Sequence, residues 1–109
     1  MSAVTAVENS NFESEVVQAG GPVVVDFWAE WCVPCKRLSP ILESVAAKFD
    51  GRVKVVKCNI EQNRDLIKKY DVKSIPNLLF FKDGKVVDQS LGLVSEAVLA
   101  SKVAGLLQQ

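Results

Sequence analysis

Apolar residues recur along the chain at two different spacings, which predict alternating strands and helices. The segment from Pro22 to Ala29 is almost continuously β-branched or aromatic, with Asp26 as its one charged member, as is typical of a strand buried on both faces. From Pro34 to Phe49 the apolar positions are three and four residues apart, which predicts a long amphipathic helix that Pro40 should kink. A second β-branched segment predicts another buried strand from Val53 to about Cys58 or Ile60.

Shorter patterns predict one more strand and two more helices. Apolar residues near Val4 to Val7 predict the strand. Ser10 and Glu13 have the spacing of a capping box, and the apolar residues that follow predict a helix that ends at Gly20. A further short helix is expected over roughly Asn63 to Tyr70, after the second buried strand.

The last third of the chain predicts a hairpin followed by a helix. Asn77 to Phe81 and Val86 to Leu91 are separated by Lys82-Asp-Gly-Lys85, whose Asp-Gly pair accommodates the positive φ angles of a tight turn. An amphipathic helix follows from Ser95. The order βαβαβαββα places crossover helices between the first strands and an antiparallel pair at the end. We therefore expect an α/β fold, with a mixed sheet covered by helices on both faces.

The composition indicates one globular domain, residues 1–109, and excludes several classes of function. Hydrophobic residues make up 49% of the chain, and 13 basic residues balance 13 acidic ones, so the positive field that binds nucleic acids or anionic membranes is absent. No segment is apolar over the roughly 18 residues of a membrane span, and the first ten residues lack the features of a signal peptide, so we expect a cytoplasmic protein. The absence of histidine excludes Ser-His-Asp triads and histidine bases.

Three cysteines carry most of the remaining chemistry, and two of them, Cys32 and Cys35, form a Cys-x-x-Cys pair. The pair follows a predicted buried strand and opens a predicted helix. Cys32 would thus lie at unpaired backbone N–H groups and at the positive end of the helix dipole, which favour its thiolate. Pro34 suits a first helical turn, and the positive charge of Lys36 also favours the thiolate. A dithiol of this kind can exchange with disulfides.

A structural disulfide and half of a zinc site are the other interpretations of the Cys32/Cys35 pair. A bridge that closes about four residues contributes only roughly 2 kcal/mol, and structural zinc needs four ligands, which three cysteines without a histidine do not supply. We therefore expect no metal and no organic cofactor. The third cysteine, Cys58, should lie on the opposite face of its strand from Lys57, as a small buried core residue or as a regulatory thiol.

The segment Val-Asp-Phe-Trp-Ala-Glu-Trp-Cys-Val-Pro-Cys-Lys, residues 25–36, resembles the active-site segment of the thioredoxin family. Lys57, Ile75-Pro76, Lys82-Asp-Gly84 and Gly92 match further landmarks of that family in order and spacing, so the resemblance covers nearly the whole chain. It implies the thioredoxin fold, with a mixed central β-sheet of about five strands flanked by about four helices. It also implies a protein-disulfide reductase that needs no cofactor.

The resemblance implies a role for each residue of the redox site. Cys32 attacks a disulfide of a target protein, Cys35 resolves the mixed disulfide, and a thioredoxin reductase restores the dithiol. Asp26 is the expected proton acceptor for Cys35, because burial raises the pKa of a carboxyl group into a range useful near neutral pH. Lys57 is its expected charge partner. Without the cysteine motif, Asp26 and Lys57 would be interpreted as a structural buried pair.

The same resemblance implies a surface on which a disulfide-containing target protein docks. Its residues are Trp31, Val33, Pro34, Ile75, Pro76 and Gly92. Trp31 belongs to an apolar rim, and a cis peptide bond before Pro76 would leave the backbone of Ile75 free to pair with an extended target segment. Gly92 would allow close approach. We expect such a protein to act as a monomer.

Three positions depart from the family pattern. Val33 stands where a glycine is usual between the cysteines, and Asn77 and Leu93 stand where threonine and alanine are more common. A β-branched residue restricts the backbone and adds bulk beside Cys32, so we expect altered partner choice with retained chemistry. Two other functions stay open, namely a binding module devoted to one partner and a more oxidising, isomerase-type enzyme.

Overall fold

A five-stranded mixed sheet forms the centre of the computed structural model, which describes residues 3–109. The strands are β1 (Thr5–Ala6), β2 (Val23–Trp28), β3 (Lys54–Asn59), β4 (Asn77–Lys82) and β5 (Lys85–Leu91). Their order across the sheet is β1-β3-β2-β4-β5. β1 and β2 run parallel to β3, and β4 runs antiparallel to both β2 and β5. The mixed sheet and the hairpin predicted from the sequence are therefore confirmed.

Within residues 3–109, three α-helices and one π-helical turn cover the sheet. The helices are α1 (Val33–Lys48), α2 (Arg64–Lys69) and α3 (Glu96–Leu107), and the turn is Glu13–Val17. Ser95 begins α3, because its side chain accepts a hydrogen bond from the Val98 N–H at 3.2 Å. The predicted order of strands and helices is confirmed. No helix within residues 3–109 is long and apolar enough to cross a membrane.

The start of the first helical segment differs from the prediction. Ser10 and Glu13 do not form a capping box, since the π-helical turn begins after Phe12 with no side-chain hydrogen bond at its N-cap. Instead, the Asn11 side chain accepts a hydrogen bond from the Glu8 N–H at 2.8 Å, which closes a turn before the helical segment. Phe12 is buried in the core at this point. Packing of an aromatic side chain, rather than a polar cap, therefore places the segment.

The alternation of side chains along the strands divides the core into two layers. On one face of the sheet, Val24 and Phe80 pack against α1 and α3. On the other face, Val25 and Phe27 pack against the π-helical turn and α2. Asp26 lies two residues after Val24 and therefore faces α1. The fold thus brings a buried carboxyl group to the same side of the sheet as the helix that begins at the cysteine pair.

Candidate active site

Cys32 and Cys35 lie at the start of α1 and form a disulfide bond in this structure. Cys32 is the N-cap residue of the helix, and its sulfur accepts a hydrogen bond from the Cys35 N–H at 3.2 Å. Pro34, which has no N–H to satisfy, occupies the first helical turn as predicted. The Cα atoms of the two cysteines are 5.3 Å apart, a normal separation for bridged residues.

The surroundings of the two sulfurs favour a thiolate on Cys32 once the bridge is reduced. The Cys35 N–H and the positive end of α1 both stabilise a negative charge on that sulfur. The cysteines are nearly buried in a small apolar cluster with Ala29, and Trp28 and Ile75 pack against this cluster. The arrangement can therefore carry out thiol–disulfide exchange.

The rim beside the cysteines is exposed and apolar. Trp31 is 64% exposed and Val33 is 58% exposed. The indole N–H of Trp31 donates a hydrogen bond to Glu61 Oε1 at 3.0 Å, which orients the ring. Sequence reasoning missed Glu61, because nothing local distinguishes it from the other surface acids. The contact joins residues 30 positions apart and depends on the fold.

The segment before β4 lies against the cysteine cluster. The Ile75–Pro76 peptide bond is cis, as expected from the resemblance. The Pro76 carbonyl accepts a hydrogen bond from the Gly92 N–H at 2.8 Å, which ties the end of β5 to this segment. An open groove of about 280 Å³ separates the segment from the rim, and its lining residues are Trp31, Ile60, Val72, Lys73, Ser74 and Ile75. Two of the predicted docking residues, Trp31 and Ile75, therefore line one groove.

A second cavity, of about 140 Å³, joins the Asp26 carboxyl to Cys35. Its lining residues are Asp26, Trp28, Glu30, Cys35, Lys36, Ser39 and Lys57. Burial raises the pKa of Asp26 from 3.8 to about 7, while the positive charge of Lys57 acts in the opposite direction. Asp26 Oδ1 accepts no hydrogen bond from any of residues 3–109. Such a carboxyl group can take up and release a proton near neutral pH.

Comparison with known proteins agrees with this geometry, since the family model for Thioredoxin matches residues 3–105. The chain belongs to the thioredoxin family. It is similar to Thioredoxin of Pseudomonas aeruginosa, with 46% identity over 98 residues, which cover 90% of this chain and 91% of that protein. It is 41% identical over 100 residues to Thioredoxin 1 of a Nostoc strain, covering 92% of this chain and 94% of that protein. Thioredoxin of Haemophilus influenzae is 42% identical over 101 residues, with coverage of 93% and 94%.

Membership of the thioredoxin family confirms the fold and the activity expected from the sequence. The chain has the thioredoxin fold and is a thiol–disulfide oxidoreductase of the protein-disulfide reductase type. Cys32 and Cys35, with their Cys-x-x-Cys spacing, lie at disulfide distance in the structure. Membership also implies the partners of such a reductase, which are proteins that contain disulfides and a thioredoxin reductase.

The third cysteine of this thioredoxin-family chain lies apart from the redox pair. Cys58 is fully buried among the apolar residues that face the π-helical turn and α2, whereas Lys57 lines the Asp26 cavity on the other face. Burial, together with the negative charges of Glu8 and Asp26, raises the pKa of the Cys58 thiol to about 12. A buried thiol with so high a pKa is a poor nucleophile. The structure therefore favours the core interpretation of Cys58 over the regulatory one.

Sequence reasoning missed two polar residues of the Asp26 cavity, Glu30 and Ser39. Ser39 lies four residues after Cys35, so the helical spacing places both on one face of α1 and could have indicated it. Glu30 lies in the loop between β2 and α1, where periodicity gives no direction. Within residues 3–109, no group of three or more cysteine, histidine or acidic side chains is arranged to hold a metal ion.

Proposed function

We propose that this chain, as a single thioredoxin domain of residues 1–109, reduces disulfides of target proteins through Cys32 and Cys35 and is itself re-reduced by a thioredoxin reductase. The observation that carries the proposal is the position of Cys35. This residue is bonded to Cys32 and also lines the cavity that contains the buried Asp26 carboxyl. Cys35 can therefore close the disulfide and lose its proton within the same site.

The reaction proceeds in two thiol–disulfide exchange steps. In the first, the Cys32 thiolate attacks one sulfur of the target disulfide, and the other target sulfur leaves as a thiolate. In the second, Asp26 accepts the proton of Cys35, whose thiolate attacks the Cys32 sulfur, so that the first target sulfur leaves and the Cys32–Cys35 bridge forms. Two electrons pass from the dithiol to the target. Lys57 stabilises the charge that Asp26 bears before it takes up the proton.

The target docks beside the cysteine pair. We assign the docking surface to Trp31, Val33, Pro34, Ile75, Pro76 and Gly92. The exposure of Trp31 and Val33 and the groove that reaches Ile75 support this assignment. An extended segment of the target pairs with the backbone at Ile75, in the manner of an added strand. The protein acts as a monomer in the cytoplasm, where thiols are kept reduced.

A trapping experiment tests the assignment of the two cysteines. When the reduced Cys35→Ser variant is mixed with insulin as the disulfide substrate, a mixed disulfide on Cys32 should accumulate, because the resolving thiol is absent. Non-reducing electrophoresis and mass spectrometry measure the adduct. The Cys32→Ser variant should form none, and the matched control Cys58→Ser should turn over like the unaltered protein. An adduct on Cys35, or on neither cysteine, contradicts the assignment.

A second proposal is that Val33 alters the choice of partner. Val33 is 58% exposed and Leu93 is 45% exposed, so both add bulk to the surface that a partner meets. Val33→Gly should raise kcat/KM several-fold with the thioredoxin reductase of a relative, while reduction of a small-molecule disulfide stays unchanged. Steady-state assays measure both rates. Equal kcat/KM values before and after the substitution, with the reductase and with several target proteins, contradict the proposal.

The reduction potential of the Cys32/Cys35 pair separates a reductase from a more oxidising, isomerase-type enzyme. The purified protein is equilibrated in thiol buffers, and the fluorescence of Trp28 and Trp31 reports the fraction that is oxidised. A value at or below about −220 to −320 mV, the range of the cytosolic glutathione poise, supports the reductase. A value well above that range contradicts it.

A further inference from the structure

The side chain of Lys57 has two candidate partners in the Asp26 cavity, and it contacts one of them. β2 and β3 pair in a register that puts Asp26 beside Lys57, and the alternation along β2 puts Trp28 on the same face as Asp26. The Lys57 ammonium lies over the Trp28 ring, 5.6 Å from its centroid, within the range of a cation–π contact. In the part of the chain that the structure describes, Lys57 forms no ion pair with Asp26.

The Asp26 carboxyl is correspondingly left without a direct partner. Its Oδ1 is buried and accepts no hydrogen bond from residues 3–109. A buried carboxyl beside a lysine is ordinarily paired with it, because burial of an unpaired charge is unfavourable. The four-carbon stem of lysine is flexible and long enough to reach across the strand spacing of about 4.8 Å. The missing ion pair therefore needs a physical cause.

We propose that Trp28 is a positioning residue whose indole ring holds the Lys57 ammonium and so keeps it out of an ion pair with Asp26. The face of the indole attracts a cation, and the attraction is stronger in a partly dry cavity than at an exposed surface. Trp28 is itself held in place, because it packs against the cluster of Cys32 and Cys35. The position of Lys57 is thereby tied to the wall that supports the redox pair.

The position of Lys57 matters because of its charge. The other titratable groups around Asp26 are Cys35 and Lys36 of α1, Glu30 of the loop before α1, and Cys58 on the opposite face of β3. Burial raises the pKa of Asp26, and the charge of Lys57 opposes that rise. A lysine in direct contact would oppose it more strongly and would leave Asp26 a weaker base. This consequence for turnover rests on the proposed function, whereas the position of Lys57 does not.

A double-mutant cycle on the titration of Asp26 tests the proposal in the oxidised protein. The carboxyl is titrated by NMR in the unaltered protein, in Trp28→Leu, in Lys57→Met and in the double variant. Without the indole, Lys57 is free to pair with Asp26, so Trp28→Leu should raise the acid dissociation constant of Asp26 about tenfold. In the Lys57→Met background the same substitution should change that constant less than about twofold.

Two outcomes of the cycle overturn the proposal. An equal change in both backgrounds means that Trp28 acts only by excluding water from Asp26. No change in the background that retains Lys57 means that the indole does not hold the lysine. Trp28→Phe, which keeps a smaller aromatic face, should give an intermediate constant, and Trp31→Leu, which removes the exposed tryptophan of the rim, should leave the titration of Asp26 unaltered.

A measurement without any substitution provides an independent check. If the ammonium of Lys57 lies over the Trp28 ring, the adjacent ε-methylene protons should show an upfield ring-current shift in the NMR spectrum of the unaltered protein. Ordinary lysine shifts would contradict the proposal. This check does not depend on the folding of the Trp28→Leu variant.

The titration, the trapping experiment and the pH profile of mixed-disulfide resolution in the unaltered protein together distinguish this inference from the proposed function. If Trp28 and Lys57 are coupled in the titration but the pH profile of mixed-disulfide resolution does not follow Asp26, the position of Lys57 stands and Asp26 is removed from the proposed chemistry. If the titration shows no coupling while Cys35→Ser still traps a target on Cys32, the proposed function stands and this inference fails.

Discussion

Replacement of Asp26 by asparagine should change how the stability of the oxidised protein depends on pH. Burial holds the pKa of this carboxyl at about 7 in the folded protein, against an ordinary value of 3.8. Below pH 3.8 both the folded and the unfolded chain carry the proton, so Asp26 has no pH-dependent effect. Between pH 3.8 and about 7 only the folded chain keeps it, and the free energy of unfolding falls as the pH rises. Above that window both states are ionised and the loss is complete.

The size of this loss follows from the two pKa values. They differ by about 3, and each pH unit between them is worth about 1.4 kcal/mol, so the ionised Asp26 destabilises the folded protein by about 4 kcal/mol. The amide of Asp26→Asn also lacks a partner, but its cost does not vary with pH. From pH 4 to pH 8, the difference in unfolding free energy between variant and unaltered protein should therefore move in favour of the variant by about 4 kcal/mol.

Urea unfolding at a series of pH values, followed by tryptophan fluorescence, measures this difference. The protein is kept oxidised so that the redox cysteines do not titrate, and the remaining ionisable groups cancel between the two proteins. Asp88→Asn is a matched control in which the pH dependence has the opposite sign. The backbone N–H of Gln89 lowers the pKa of Asp88, so the ionised Asp88 stabilises the folded protein and this stabilisation is lost as the pH falls. A pH-independent difference for Asp26→Asn, or one that favours the variant at acid pH, would refute the reasoning.

Three further predictions concern stability and thiol reactivity. A Cβ on Gly84, whose φ angle is 79°, would lie 2.8 Å from the Val17 carbonyl oxygen, so Gly84→Ala should lower the free energy of unfolding in urea by about 1–3 kcal/mol. Gly105 lies in open space on α3, so Gly105→Ala should raise the free energy of unfolding by up to about 1 kcal/mol. Asp71 has a φ angle of 53°, which glycine adopts with less strain, so Asp71→Gly should raise the free energy of unfolding by up to about 1 kcal/mol. A lower melting temperature for the variant would contradict this. Iodoacetamide should modify Cys58 only after the protein unfolds, and mass spectrometry detects which cysteine is modified. Modification of Cys58 in the native reduced protein would contradict its burial.

The strands and the long helix could be predicted because their signals are local and dense. The β-branched run predicted a strand from Pro22 to Ala29, and β2 spans Val23–Trp28. The apolar spacing predicted a helix from Pro34 to Phe49, and α1 spans Val33–Lys48. β2 is buried on both faces of the sheet and α1 buries one apolar face, so tertiary packing and local pattern favour the same structure.

In the first helical segment, tertiary packing overrides the local capping signal. A capping interaction of the type predicted for Ser10 and Glu13 is worth about 1 kcal/mol. Burial of an apolar side chain is worth about 1.5–3 kcal/mol, and both the N-cap residue Phe12 and Val16 of the π-helical turn are buried. Packing therefore outweighs the cap, and the helical segment starts where Phe12 reaches the core. The sequence pattern alone cannot specify that contact, because the partners of Phe12 lie on other elements.

The sequence indicated Asp26, Lys57 and the two cysteines of the candidate site, but it indicated neither Glu30 and Ser39 nor the side-chain contacts. The strand pattern and the family resemblance placed Asp26 and Lys57 side by side, and the register of β2 and β3 agrees. The direction of the lysine side chain depends on rotamers chosen within the cavity, and it points over Trp28. The hydrogen bond from Trp31 to Glu61 is of the same kind. Contacts between long side chains on different elements leave no periodic trace in a sequence.

The raised pKa of Asp26 in the folded protein determines two properties. It sets how much the ionised carboxyl destabilises the fold, and it sets how strong a base the carboxyl is. Any change that brings Lys57 closer lowers the pKa of Asp26 in the folded protein. For each unit by which that pKa falls, the protein gains about 1.4 kcal/mol of stability above pH 7, and Asp26 becomes a tenfold weaker base. An ion pair between Asp26 and Lys57 would therefore stabilise the fold and slow the proposed second step together. If Trp28 holds Lys57 as proposed, the carboxyl keeps the raised pKa that burial gives it, and the destabilisation at neutral pH is the direct thermodynamic consequence.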